Sequence, residues 1–275
     1  MSPFIWRNRL MMRALWTAAS GMVAQQFNVD VISNNLSNVN TTSYKKERVE
    51  FKDLLYQTME RAYMLEDQGK PVNLQVGYGV MPVATVKDFD TGNFEQTENP
   101  LDLAIDGEGF FMVLGPTGNI QYTRDGSFKI SITDAGNMIT TSDGFPLLDD
   151  TGSEIYVDDV SKLIISSFGE LSYTDEEGVV IPLGQTIGIV KFPNKYALES
   201  IGRNLYSENS ASGFAVNDAD TGDRSTIFQG FLEASNVQTV EEMVKLIVAQ
   251  RAYEMNSKAI QSADEMMGMA NNLKR

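Results

Sequence analysis

Apolar side chains recur at Leu15, Ala18, Met22, Val29, Ile32, Leu36 and Val39, with polar Gln25 filling the remaining step of a 3, 4, 3, 4 alternation. That spacing keeps one face of a helix apolar for about seven turns and predicts a helix over residues 12–43. Its end falls at Asn40-Thr41-Thr42-Ser43, residue types that favour caps and turns over helix interiors. Asn34, Asn35, Asn38 and Asn40 crowd the last turns. Asparagine is worse than alanine there by about 0.5 kcal/mol, so four of them cost about 2 kcal/mol unless their amides find partners. Asn40 is read as ending the helix, and Asn34 and Asn35 as hydrogen-bonding to a neighbouring copy, giving register to an apolar contact that could otherwise slip.

The last forty residues carry the strongest periodicity. Leu246, Ala249, Tyr253, Asn256, Ile260, Ala263, Met267 and Ala270 form one seam, and Ala252, Met255, Ala259, Ser262, Met266, Met269 and Leu273 form another. Two seams on one helix imply more than one neighbour. No glycine or proline interrupts residues 236–267, so the helix expected within 236–275 runs unbroken for about 30 residues, or about 45 Å. Thr239 with Glu242 fits a capping box at its start, as does Ser235 with Gln238.

Between the helices the pattern changes to short β-branched and aromatic runs punctuated by Gly, Asp and Asn. Turn signals such as Asp125-Gly126 and Asp143-Gly144 recur at the spacing of an all-β sandwich or barrel, and residues 96–200 are read as a β domain. Residues 44–95 read as a transitional extended or hairpin tract, and 201–235 as a loop-rich return. The fold expected is α+β: long N- and C-terminal helices forming a coiled-coil-like unit, the 236–275 helix packing on 12–43, with the all-β domain inserted between them. Neither helix can bury its stripe alone.

The 275-residue chain has no Cys and no His, which removes thiolate nucleophiles, histidine bases and Cys/His zinc sites. Its net charge of -15 comes from residues 49–235, and an acidic middle argues against nucleic acid as a partner. No run near Arg7, Arg9 and Arg13 is apolar enough for a signal peptide or membrane span. Asp218 and Asp220 have EF-hand spacing, but Gly222, Asp223 and Gln229 occupy positions that should hold a ligand, the turn glycine and glutamate, so a solvated loop is expected. Asp149/Asp150 and Asp158/Asp159 read as charged turns, because neighbouring strand residues face opposite ways. Gly77-Tyr78-Gly79 and Gly107-Glu108-Gly109 lack the context of a dinucleotide loop and read as bends. Lys45, Lys46 and Arg48 read as a solvated helix end, and Met255, Met266, Met267 and Met269 as packing surface. Nothing assembles a nucleophile, base and oxyanion site, so the chain reads as a non-enzyme without cofactor, metal or small-molecule substrate.

The stretch from Met11 to Met59, "MMRALWTAASGMVAQQFNVDVISNNLSNVNTTSYKKERVEFKDLLYQTM", resembles the N-terminal signature of the bacterial flagellar rod and hook proteins. "GFLEASNVQTVEEMVKLIVAQRAYEMNSKAIQSADEMM" resembles their C-terminal signature. With "VGYGV", "DLAIDGEGFFMV", "YTRDGSF" and "LESIGRNLY", the likeness spans nearly the whole chain from Met11 or Met12 and is greatest to distal-rod subunits. The first ten residues lie upstream of the family's usual start. Ser43 stands where the family usually has glycine, which implies a less sharply turned backbone after the first helix.

The resemblance implies a subunit that polymerises helically into a rigid hollow drive shaft carrying torque to the hook, exported without a cleaved signal peptide into the periplasmic basal body. Implied partners are further copies of itself, proximal rod proteins, the hook protein, surrounding rings and the flagellar export apparatus. A hook or proximal rod subunit is the alternative, and a glycan-binding or adhesin-like β protein a more distant one. The subunit interface is expected at Leu15, Met22, Val29, Ile32, Asn34, Asn35, Leu36, Val39, Leu246, Ala249, Tyr253, Asn256, Ile260, Ala263 and Met267. A rod-specific tract is expected at Tyr56, Gln57, Met59, Tyr63, Leu65, Val76 and Tyr78.

Overall fold

The computed structural model describes residues 3–60, 63–64, 69–70, 73–116, 118–133, 136–157, 159, 162–175, 179–222 and 224–272. A helix α1 (Pro3–Ser37), a β-rich middle and a helix α2 (Thr239–Asn272) follow one another, an α+β order. The chain divides into two units: residues 1–37, 47–86 and 238–275 form the first, and residues 38–46 and 87–237 the second.

In the first unit α1 and α2 pack against each other. Ala18, Ala24, Val31 and Ile32 of α1 and Ala249 and Ala263 of α2 are buried. Small residues let the backbones approach: a Cβ on Gly21 would lie 2.8 Å from Nδ2 of Asn256. α1 ends earlier than its periodicity suggests, at Ser37 rather than 43. Asn38–Thr41 closes instead as a turn, with Thr41 N–H donating to the Asn38 carbonyl (3.1 Å) and Thr41 Oγ1 contacting Asn38 Oδ1 (3.1 Å). Competition from such side chains is why a continuing apolar spacing did not continue the helix, and Val39 therefore lies off it. α2 starts with Glu242 N–H on the Gln238 carbonyl at 3.0 Å, while Ser235 Oγ accepts from Val237 N.

The first unit also carries a long two-stranded β ribbon. Glu47–Asp53 pairs with Val80–Lys87, Tyr56–Glu60 with Leu74–Gly77, and Tyr63–Met64 with Gly69–Lys70. Leu54 N–H on Gly79 O (2.8 Å) and Tyr78 N–H on Leu55 O (3.2 Å) carry the pairing across the bend between the first two ladders. At Gly79, with φ of +114°, a Cβ would collide with Ser20 Oγ of α1, so glycine is required by both conformation and contact.

The second unit is built on a six-stranded antiparallel sheet ordered Glu199–Gly202, Leu205–Ser207, Ile120–Thr123, Phe110–Leu114, Ile189–Lys191, Val216–Asn217. Phe110–Leu114 is apolar throughout because it is covered on both faces. Phe111 and Val113 join one core with Phe128, Leu147, Ile155 and Leu171, while Phe110 and Met112 join another with Phe89, Tyr122 and Phe192. The segment after residue 200 is no mere loop. It supplies Leu205–Ser207 to the sheet, and Thr226–Gln229 and Phe231–Glu233 pair with Leu103–Asp106 and Phe94–Gln96, so this unit runs on to residue 237.

Candidate functional site

Asn35 is buried within the first unit. Its Oδ1 accepts from Glu47 N (2.9 Å), and its Nδ2 donates to Glu47 O (2.8 Å) and Glu242 Oε2 (3.3 Å). The amide thus does for the first ribbon strand what a neighbouring backbone would do, and joins it to α2. Lys245 contacts the other Glu242 oxygen at 2.7 Å. The expected bond from Asn35 to another copy is accordingly replaced by bonds within the chain; Asn34, one residue earlier, is exposed on another face of α1.

The second unit repeats this device. Asn236 Oδ1 accepts from Lys46 N (2.8 Å) while its Nδ2 donates to Asp88 O (2.8 Å) and Asp90 O (3.2 Å). Beside it lies a group of charges that sequence reasoning missed. Lys45 is fully buried, with Nζ 2.5 Å from Glu233 Oε1 and 2.8 Å from Asp90 O. Gly92 N donates to the same Glu233 oxygen at 2.9 Å, and Arg124 Nε to the other at 3.0 Å. Arg124 also donates to the carbonyls of Gly107 (3.0 Å), Gly109 (3.1 Å) and Ile105 (3.2 Å). The Gly107-Glu108-Gly109 bend therefore aims carbonyls at a guanidinium, with Gly107 at φ +134°.

Lys45 is not the solvated helix end expected of it: α1 has already ended at Ser37, and at and beyond the turn at Ser43 the side chains of Ser43 and Lys45 are both buried. Burial, then Arg124, lower its pKa to about 8 against the pull of Glu233. For Glu233 burial alone would raise the carboxyl pKa, but Arg124 and Lys45 outweigh it and hold the group below its ordinary value.

Ser43 has φ of +54°, so the left-handed turn survives without glycine, contrary to the gentler bend expected. Its N–H donates to Glu233 O (2.7 Å) and its hydroxyl to Arg124 O (2.7 Å). Ser43→Gly relieves backbone strain but loses a hydrogen bond, each worth about 1 kcal/mol, and should be near neutral. Ser43→Ala keeps the strain and loses the bond, and should lower unfolding free energy in urea by about 1–2 kcal/mol.

The Asp218 loop is also not solvated. Asp218 is buried, accepts from Ser225 N (2.7 Å) and Oγ (3.1 Å), and pairs with Lys191 at 2.9 Å. Among the described residues no cluster of three or more acids could hold a metal. Asp149 collects Thr151 N, Thr151 Oγ1 and Ser153 N on Oδ1, a turn-forming arrangement; Asp158 lies outside the described residues.

Most residues expected at a subunit interface face inward within the helical unit. Ile32, Asn35, Ala249 and Ala263 are buried, and Leu15, Met22, Val29, Leu36, Leu246, Asn256, Ile260 and Met267 are half-buried. One seam on each helix is used where α1 and α2 meet, as expected when a single chain supplies both partners. Tyr253 is exposed, as are other apolar residues on both helices. On α1, Met12, Trp16, Val23, Phe27 and Asn34 follow a 4, 7, 4, 7 spacing, with Trp16 69% exposed. On α2, Val244, Val248, Met255, Met266 and Met269 share one exposed stripe that includes three members of the second seam; Leu273 lies outside the described residues.

The tract from Tyr56 to Tyr78 lies on the ribbon. Gln57 pairs with Val76, Tyr78 Oη donates to Gln57 Oε1 (3.0 Å), and Tyr56 lies opposite Gly77. Arg13 of α1 donates to Val76 O (3.3 Å) and sits over the Tyr78 ring at 5.3 Å. Met59 is half-buried, Tyr63 belongs to the outermost described ladder, and Leu65 lies outside the described residues.

Comparison with known proteins gives one answer along the chain. Residues 15–45 match the family described as flagella basal body rod protein, residues 104–173 the flagellar hook protein FlgE/F/G D1 domain, and residues 229–273 the flagellar basal body rod FlgEFG protein C-terminal family. The flagellar basal-body rod protein FlgG of Borreliella burgdorferi is 48% identical over 96% of this chain and 100% of its own length. Its namesake in Caulobacter vibrioides is 44% identical, and that in Bacillus subtilis 39%, each over 96% of this chain and 100% of its own length. Over its full architecture, from the α1 signature to the α2 signature, this chain belongs to the flagellar basal-body rod protein family, a family of structural proteins rather than enzymes.

Proposed function

We propose that the chain is a structural subunit of the distal rod, polymerising with copies of itself into the shaft that carries motor torque to the hook. The observation that carries this is the near full-length likeness to basal-body rod proteins. The two outer stripes supply a mechanism: an exposed apolar face on each terminal helix gives unlike surfaces that meet between copies without closing a ring, which builds a filament. The inner seams form a coiled-coil-like pair within each subunit. Proximal rod proteins, the hook protein, the surrounding rings and the export apparatus are its other partners, and the periplasm its location, reached without a cleaved signal peptide. The ribbon bearing Tyr56, Gln57, Met59, Val76 and Tyr78 is read as the tract specific to a distal rod subunit; as a two-stranded ribbon it is marginal alone and gains stability when a neighbouring copy covers it.

Trp16→Asp should raise the concentration at which polymers form by about tenfold or more, because it places a charge where a large aromatic surface is to be buried. Far-UV circular dichroism and thermal unfolding of the second unit should be unchanged. Sedimentation velocity checks this, and polymerisation at the original concentration would sink the assignment of the α1 stripe.

A further inference from the structure

We infer that the outer methionines of α2, Met255, Met266 and Met269, are an oxidative modification site that switches self-association off before subunits assemble. The inference rests on the assembly reading above and adds a chemical control to the same surface. The chain contains no cysteine and 14 methionines, so thioethers are its only sulfur. Met255 is 64% exposed and Met269 60%, and Met266 is exposed too, whereas Met112 is buried and Met22 and Met267 are half-buried. Met255 and Met266 are eleven residues apart, close to three helical turns, and Met269 follows on the same side with Ala259 and Ser262 between them. Reactive sulfur is thus concentrated along a stripe that has to become apolar interface.

The reactant is a peroxide. The sulfur lone pair attacks one peroxide oxygen, the O–O bond breaks, an S–O bond forms and water leaves; sulfur loses two electrons and the peroxide gains them. The product is a polar, chiral sulfoxide in place of a pliable apolar chain, and it is reversible by methionine sulfoxide reductases. Burying such a group without a hydrogen-bond partner weakens a contact by about tenfold.

The test treats purified full-length chain with hydrogen peroxide, maps added oxygen by peptide mass spectrometry and measures polymer formation by light scattering. Met255, Met266 and Met269 are expected to gain oxygen before Met22 and Met112, and polymerisation to need at least about tenfold more protein. In a Met12→Leu background, which removes the thioether of the α1 stripe, a Met255→Leu/Met266→Leu/Met269→Leu variant should assemble with and without peroxide, although Met81 and Met243 remain exposed in it. Should the untreated variant fail to assemble, the readout becomes partly oxidised wild-type chain: polymers depleted of sulfoxide at Met255, Met266 and Met269 relative to unassembled chain support the site, and equal sulfoxide content in both fractions overturns it. Unchanged assembly of oxidised wild type, or equal loss in the treated variant that assembles untreated, also overturns it while leaving the assembly reading intact. Untreated wild type that never polymerises overturns both.

Discussion

Glu233→Ala is expected to destabilise the second unit by about 3–5 kcal/mol, because it leaves Lys45 and Arg124 buried without their shared counter-charge. The carboxylate holds four segments at once: Lys45 before the ribbon, Gly92 after it, Arg124 beside the central sheet, and its own strand, whose backbone carbonyl takes Ser43 N. Glu233→Gln should also be destabilising, since it keeps the shape and loses the charge. Replacing Lys45, Arg124 and Glu233 together by Met, Met and Leu should recover part of the loss, as removing all charges removes their desolvation cost. Urea unfolding followed by near-UV circular dichroism reads all of these.

Acid gives a second check on Glu233. A carboxyl held below its ordinary pKa contributes stability above that ordinary value and loses it as pH falls through the folded one. Wild type should therefore weaken more steeply than Glu233→Gln below about pH 4.5. Lys45 has the same sign at the alkaline end: its folded pKa, about 8, lies below 10.5, so its contribution becomes more favourable as pH rises across that interval. A wild-type acid limb no steeper than that of Glu233→Gln would mean the ion pairs do not set acid stability.

Asn35→Leu should cost the helical unit about 3 kcal/mol, with Glu47 N–H and C=O and the buried Glu242 carboxylate all losing a partner while side-chain volume is nearly kept. Asn35→Asp should be no better, because a carboxylate can accept from Glu47 N but cannot donate to Glu47 O and repels Glu242. Hydrogen exchange at residues 47–53 and 80–87 reads the effect; protection equal to wild type in either variant would show that the amide is not what holds the first ribbon ladder.

How far the sequence foretold this follows from the range of each interaction. The α2 seam through Leu246, Ala249, Asn256, Ile260 and Ala263 was legible because period 3.6 is a local property, and the alternation of short strands was legible for the same reason. That the seam meets α1 of the same chain came only from the order helix, β region, helix, since periodicity shows that a face is covered but not by what. Lys45 and Glu233 are 188 positions apart and Asn35 and Glu242 207 apart, and nothing near either residue announces its partner.

The segment from Thr42 to Glu47 is held almost residue by residue: Thr42 O by Asn204, Ser43 by Glu233 and Arg124, Lys45 by Glu233, Lys46 by Asn236 and Glu47 by Asn35. A ladder of backbone bonds can slide by two residues and re-form, but a sequence fastened by five different side-chain keys has a single position. Gain or loss of one residue there would misalign every key at once, so length in this stretch is as fixed as identity, and the chain can vary freely in size only elsewhere.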